Sequence, residues 1–168
     1  MFELKPIAPD AIPAALEKAL RYRMLNEPEQ AESICQDVLR IDPDNQEALV
    51  TLILAVTDRF HGPRPASSAQ ARELLPRLRG EYDREYYAGI VWEREGIAWL
   101  RSDKPRAGPA AYECLTEAMA HYERAAALRP PANDDALLRW NSCARAIMAH
   151  PDVAPSAEPA EVIADLGE

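Results

Sequence analysis

The side chains that could support acid–base or metal chemistry are few in this sequence and widely spaced. Its three histidines are His61, His121 and His150, and no two lie at metal-ligand spacing. Glu117 precedes His121 by four residues, with Glu113 one turn earlier, whereas di-metal sites in helical bundles repeat a Glu and a His three residues apart. We therefore interpret this cluster as a solvent-exposed helix face with an i,i+4 contact, and predict no metal or other cofactor.

Motifs for nucleophilic or phosphate chemistry are also missing from the sequence. There is no Gly-rich phosphate loop and no CxxC pair. Cys35 falls on an apolar helical stripe, where a cysteine behaves as a small hydrophobic residue. Trp92, Trp99 and Trp140 lie on similar stripes and are expected to pack in a core. The sequence therefore predicts a non-enzymatic protein.

The composition indicates one helical domain. A chain of 168 residues that is rich in Ala and Leu and contains only 6 Gly favours an all-α soluble fold with a core of its own. The formal net charge of -9 argues against a nucleic-acid partner and against binding to an anionic membrane surface. No apolar run reaches the length that a transmembrane helix needs.

The N-terminal residues and the cysteines indicate a cellular compartment. The first ten residues, MFELKPIAPD, lack the basic start and apolar stretch of a secretory signal. Cys35, Cys114 and Cys143 are odd in number and far apart, which favours free thiols in a reducing environment over a disulfide framework. We therefore predict a cytoplasmic protein.

Two segments share one pattern of small, large and apolar residues, namely 31–43 (AESICQDVLRIDP) and 118–130 (AMAHYERAAALRP). Each opens with Ala, has a larger residue four positions later, and has apolar residues at offsets seven, eight and ten. Each ends with Pro at offset twelve. These offsets place the side chains on one stripe of a helix that must end near the proline. Each segment is predicted to be the second helix of a helix–turn–helix unit.

This pattern resembles the tetratricopeptide repeat, a helix pair that recurs along the chain. Ala19, Tyr22, Ala31 and Pro43 stand where the family places its small, aromatic, small and proline residues. Ala15 departs from the family, which usually has a large aromatic residue at that position.

A later part of the chain resembles the same family. Trp92, Gly96 and Trp99 match the large, glycine and aromatic positions of the family's first helix. A mid-helix Gly costs about 1 kcal/mol against Ala. The resemblance implies that Gly96 is needed for a close contact with Ala118 of the partner helix.

The resemblance implies an all-α superhelix, a solenoid of antiparallel helix pairs. We expect an N-terminal extension at 1–9, a helical domain at 10–150 and an acidic, Pro-containing tail at 151–168. The helical domain would comprise repeats at about 12–45, 46–82 and 83–131, followed by a closing helix at 134–149.

In this family the first helix of each pair lines a concave groove, so the resemblance also implies a binding surface. The implied groove residues are Leu16, Leu20, Arg23 and Met24 from the first repeat, Glu47, Val50, Leu54 and Asp58 from the second, and Ile90, Glu93, Ile97 and Arg101 from the third. An apolar groove with charged edges suits a peptide or helix with apolar anchors. Leu16 and Leu20 occupy positions where chaperone-binding members carry Lys and Asn, so a carboxylate clamp is not expected.

Several occupants of this groove are compatible with the sequence. A partner protein could supply a peptide or helix, which would make the chain an adapter or scaffold. A small secretion-type chaperone, which would shield an apolar segment of a secreted client, has a similar size and acidity. The groove could instead be covered by the chain's own tail or by a second copy in a structural homo-oligomer.

Two predicted inter-helix loops, His61–Ser67 and Ser102–Pro109, are longer than the family's tight turns. Arg59, Arg64, Lys104 and Arg106 make both loops basic. The tail, by contrast, carries five acidic residues and no Lys or Arg. We therefore hypothesise that the loops receive an acidic segment, the chain's own tail included.

Overall fold

The computed structural model describes residues 2–61 and 65–156, and within these ranges every regular element is a helix. The all-α prediction is therefore confirmed. The α-helices are α1 (Ile12–Met24), α2 (Pro28–Ile41), α3 (Gln46–Asp58), α4 (Ser68–Leu74), α5 (Glu81–Leu100), α6 (Ala107–Leu128) and α7 (Asp135–Ala149). Arg64 and the acidic residues of the tail beyond Ser156 lie outside the described residues.

Local sequence signals explain where several helices begin and end. Pro28 occupies the first turn of α2, where its missing N–H has no cost. The Asn45 side chain accepts a hydrogen bond from the backbone N–H of Ala48 at 2.9 Å and so caps α3. Pro76 lies in a short 3-10 turn, Leu75–Arg77, which ends the α4 segment.

Consecutive helices pack against one another along the chain. α1 contacts α2, α2 contacts α3, α5 contacts α6 and α6 contacts α7, while the short α4 bridges α3 and α5. One core cluster centres on fully buried residues of α2 and α3, including Cys35, Leu49 and Ile53. A second cluster centres on α6, where Leu115 and Tyr122 are fully buried.

The most extensive helix contact, between α5 and α6, depends on two glycines. A Cβ on Gly89 would lie 2.5 Å from Cε1 of Tyr122, and one on Gly96 would lie 2.9 Å from Cγ of Leu115. The nearest atoms to Gly96 thus belong to Leu115 and Cys114 rather than to Ala118, so the predicted Gly96–Ala118 pairing is wrong by about one turn. As predicted, a glycine permits the close approach of the two helices. The residues that face each other differ from the prediction because Tyr122 lies over Gly89.

Residues after α7 fold back onto the start of α6. Val153 is buried in the second cluster. A Cβ on Gly108 would collide with the backbone carbonyl oxygen of Asp152, so glycine permits this close approach. The Arg106 guanidinium donates to Ser156 Oγ at 3.2 Å. The first residues of the tail therefore contact the second basic loop.

None of the helices in the described part of the chain combines the length and apolar character that crossing a membrane requires.

The contact between Gly89 and Tyr122 generates a stability prediction with an internal control. Helix propensity alone would make Gly89→Ala stabilising by about 1 kcal/mol. The buried Tyr122 ring leaves no room for a methyl group, so we expect a net loss of about 1–3 kcal/mol in the free energy of unfolding. Thermal and urea denaturation would measure the change. A variant as stable as the wild type, or more stable, would contradict this helix contact.

Candidate functional site

The C-terminal ends of α1, α3 and α5 surround an open cleft of about 520 Å³, which we term the end cleft. All three are the first helices of successive predicted pairs. The residues that line the end cleft are Leu20, Arg23, Met24, Asn26, Asp58, His61, Arg94 and Arg101.

One carboxylate joins the three helices of the end cleft. Asp58 accepts a hydrogen bond from Arg23 Nε at 2.8 Å and another from Arg94 Nη1 at 2.7 Å. The exposed fractions of these three side chains are 19% for Asp58, 18% for Arg23 and 29% for Arg94. Ion pairs with this degree of burial are screened less than surface pairs. Asp58 therefore fixes both guanidinium groups in the floor of the cleft.

The end cleft has more positive than negative charge although the chain has a net charge of -9. Its lining contains three arginines and a single carboxylate, Asp58. Arg101 is exposed, and it forms no ion pair within residues 2–61 and 65–156. Burial, together with Arg101 and Arg94, lowers the pKa of His61, which favours its neutral form. The cleft therefore provides cationic groups to an anionic ligand.

Two apolar side chains stand beside these charges. Met24 is 87% exposed and Leu20 is 40% exposed, both at the C-terminal end of α1. Methionine is flexible and polarizable and adapts to different apolar surfaces. The end cleft thus combines an apolar side with a cationic side.

The structure brings together five of the twelve predicted groove residues. Those in the end cleft are Leu20, Arg23, Met24, Asp58 and Arg101. Arg94 also lines it and was missed by the sequence analysis, which selected its neighbour Glu93 from the same helix. The signal that could have found Arg94 is its position one helical turn before Ile97 and two before Arg101, on the same side of α5.

The other predicted groove residues lie elsewhere. Val50, Leu54 and Ile97 are half-buried and pack against the core clusters. Glu47 is exposed in the first turn of α3, at the end opposite the cleft.

Three groove predictions need correction because the side chains are in the interior. Leu16 is 3% exposed and packs with Val38 and Ala48, whereas Ile90 is 2% exposed and packs in the second core cluster. Glu93 is 7% exposed. We therefore remove all three from the set of residues that a ligand could contact.

Glu93 instead forms a buried polar cluster. Its Oε2 accepts a hydrogen bond from the Tyr122 hydroxyl at 2.5 Å, and its Oε1 lies 3.1 Å from Nη1 of Arg139. Burial lowers the pKa of Arg139, but the Glu93 carboxylate, with Tyr86 and Tyr122, offsets this and raises it overall. Burial and the same carboxylate raise the pKa of Tyr122. The raised pKa values favour a neutral Tyr122 and a charged Arg139, and the cluster connects α5, α6 and α7.

The helix face around His121 is a local ion-pair network. His121 Nδ1 lies 2.7 Å from Glu85 Oε2, and its Nε2 lies 3.8 Å from Glu117. Arg124 Nε lies 2.9 Å from the same Glu85 carboxylate. Across the described ranges, no three His, Cys, Asp or Glu side chains converge on a point where they could hold a metal ion.

The three cysteines generate a reactivity prediction. Burial raises the pKa of Cys35, Cys114 and Cys143 to about 12, with smaller contributions from nearby carboxylates. At pH 8 we expect alkylation of the native protein to be slower than that of the urea-unfolded chain by at least about 100-fold, because the thiolate is the reactive form. Mass spectrometry of timed samples would measure this. A thiol that reacts equally fast in both states would contradict its burial.

The role of Asp58 can be tested by Asp58→Asn. The amide leaves Arg23 and Arg94 facing each other without a countercharge, so we expect a loss of about 1–3 kcal/mol in the free energy of unfolding. The loss should shrink in about 0.5 M NaCl, because salt screens the repulsion. The control is Asp44→Asn, since Asp44 is 77% exposed and lies 3.9 Å from Arg79. Equal effects of the two substitutions in denaturation curves would contradict a bridging role.

No family model, curated protein or solved structure matches this chain.

Proposed function

We propose that this chain is a non-enzymatic interaction module of the tetratricopeptide-repeat type, which binds a peptide or helix of another protein in the end cleft. The observation that carries the proposal is that exposed Met24 and Leu20, at the end of α1, lie in one cleft with exposed Arg101, at the end of α5. Exposed apolar side chains beside an arginine are typical of protein-binding surfaces.

The helix packing supports the repeat interpretation. α1 with α2, and α5 with α6, are consecutive helices in extensive contact, and glycines permit the closest approach of the second pair. The ion pairs of Asp58 connect α1, α3 and α5, which are the first helices of the three predicted pairs. A surface shared by successive first helices is the surface that repeat proteins use for binding.

The chemistry of the end cleft indicates which partner segment would fit. An aliphatic or aromatic anchor would contact Met24 and Leu20. A carboxylate next to this anchor would approach Arg101, whose charge has no counterpart among the described residues. Charge complementarity of this kind increases association rate and specificity more than affinity.

A photo-crosslinking experiment tests the proposal directly. A benzophenone amino acid would replace Met24 in the full chain, expressed in its native cells, and a matched variant would carry it at Ser33 on α2. Ser33 is exposed and is not part of the end cleft. We expect Met24, but not Ser33, to crosslink one partner protein.

The partner so identified would then be purified for binding measurements. We expect Met24→Ala to weaken its binding by about 5–30-fold, which corresponds to about 1–2 kcal/mol. Crosslinks to a second copy of the chain would instead favour the homo-oligomer. A partner whose soluble yield rises on co-expression would favour the chaperone. Equal crosslinking from Ser33 and Met24 would contradict binding in the end cleft.

A further inference from the structure

We propose that residues 157–168 of the same chain dock in the end cleft and compete there with the partner segment. This inference rests on the proposed function, because both ligands would use the same apolar and cationic groups. The binding module would then carry its own inhibitor.

The path of the described chain brings this segment to the correct end of the molecule. Val153 is buried beside α6, and Ser156 Oγ accepts a hydrogen bond from Arg106 at 3.2 Å. Arg106 follows the cleft residue Arg101 by five residues. The main chain between them therefore spans at most about 18 Å.

The segment is long enough to cover that separation. Ile163 follows Ser156 by seven residues, and an extended chain of that length reaches about 24 Å. This exceeds the maximum main-chain span from Arg106 to Arg101 by about 6 Å. Tethering of this kind gives the segment an effective concentration in the millimolar range. Even weak contacts would therefore hold it in place.

The charges of the segment and of the cleft are complementary. The acidic residues of the segment are Glu158, Glu161, Asp165 and Glu168, and it contains no Lys or Arg. The end cleft has three arginines and one carboxylate. A cationic cleft in a chain with a net charge of -9 thus has, within reach along the same chain, an acidic segment without Lys or Arg.

The apolar groups also correspond. Val162, Ile163 and Leu166 lie between the acidic residues Glu161 and Glu168. Ile163 and Leu166 are three positions apart, so their aliphatic side chains would lie on one side of a helical turn. They would provide the anchor for exposed Met24 and Leu20, whereas the flanking carboxylates would approach Arg101.

The experiment uses the full chain with a nitroxide spin label on Ala164→Cys. The native cysteines are buried, so the label is expected to react with the introduced thiol. Methyl NMR signals of Met24 and Leu20 would report the distance of the label. We expect these signals to be strongly broadened, and to recover on reduction of the nitroxide.

Charge reversal at the cleft distinguishes ionic docking from chance proximity. Arg101→Glu should abolish most of the broadening. The matched control is Arg79→Glu, which makes the same change in charge at the opposite end of α5, where the side chain is 71% exposed. The control should leave the broadening unchanged. Similar losses in the two variants would overturn the specific role of the cleft.

Two further outcomes would overturn the proposal. In one, Met24 and Leu20 remain sharp in the spin-labelled wild type, so the segment does not reach the cleft. In the other, broadening appears only when isotope-labelled protein is mixed with a separate spin-labelled copy, so the contact is between molecules. Neither outcome would affect the crosslinking test of partner binding, so the two proposals fail independently.

Discussion

The close approach of α5 and α6 is the constraint on which the rest of the structure depends. Gly89 lets the Tyr122 ring lie directly on the α5 backbone, and Gly96 does the same for Leu115. This approach brings the Tyr122 hydroxyl within 2.5 Å of Glu93, so a buried carboxylate gains a donor. Arg139 of α7 then neutralises the same carboxylate. The space that the two glycines leave for α6 therefore helps to position three helices and a buried carboxylate.

Ion pairs connect the first helices of the predicted pairs to one another and to α7. Asp58 holds Arg23 of α1 and Arg94 of α5, and Glu93 holds Arg139 of α7. Charged groups need specific partners when they are partly buried, so each pair favours the helix arrangement that brings its two partners together. The end cleft lies beside the ion pairs of Asp58.

The local charge of the end cleft differs in sign from the charge of the whole chain. Physiological salt screens interactions between exposed charges over about 8 Å, so a ligand in the cleft responds mainly to its arginines. A net charge of -9 therefore excludes neither an acidic partner nor an acidic internal segment. The net negative charge favours a short acidic ligand that stays within the cleft, because the surrounding surface repels a long acidic chain.

The sequence by itself determined where several helices begin and end, because proline, asparagine and the apolar period act within a few residues. Pro28 and Asn45 illustrate this, although α6 begins at Ala107, inside the predicted Ser102–Pro109 loop. The resemblance to a repeat family, rather than the period, suggested five of the end-cleft residues. Periodicity cannot decide which turn of one helix meets which turn of another, so Gly96 was paired with Ala118. Nor can it show that Glu93 finds Arg139, 46 residues away, and is buried for that reason. Those outcomes depend on side-chain volume and charge across the interface, which only the tertiary structure decided.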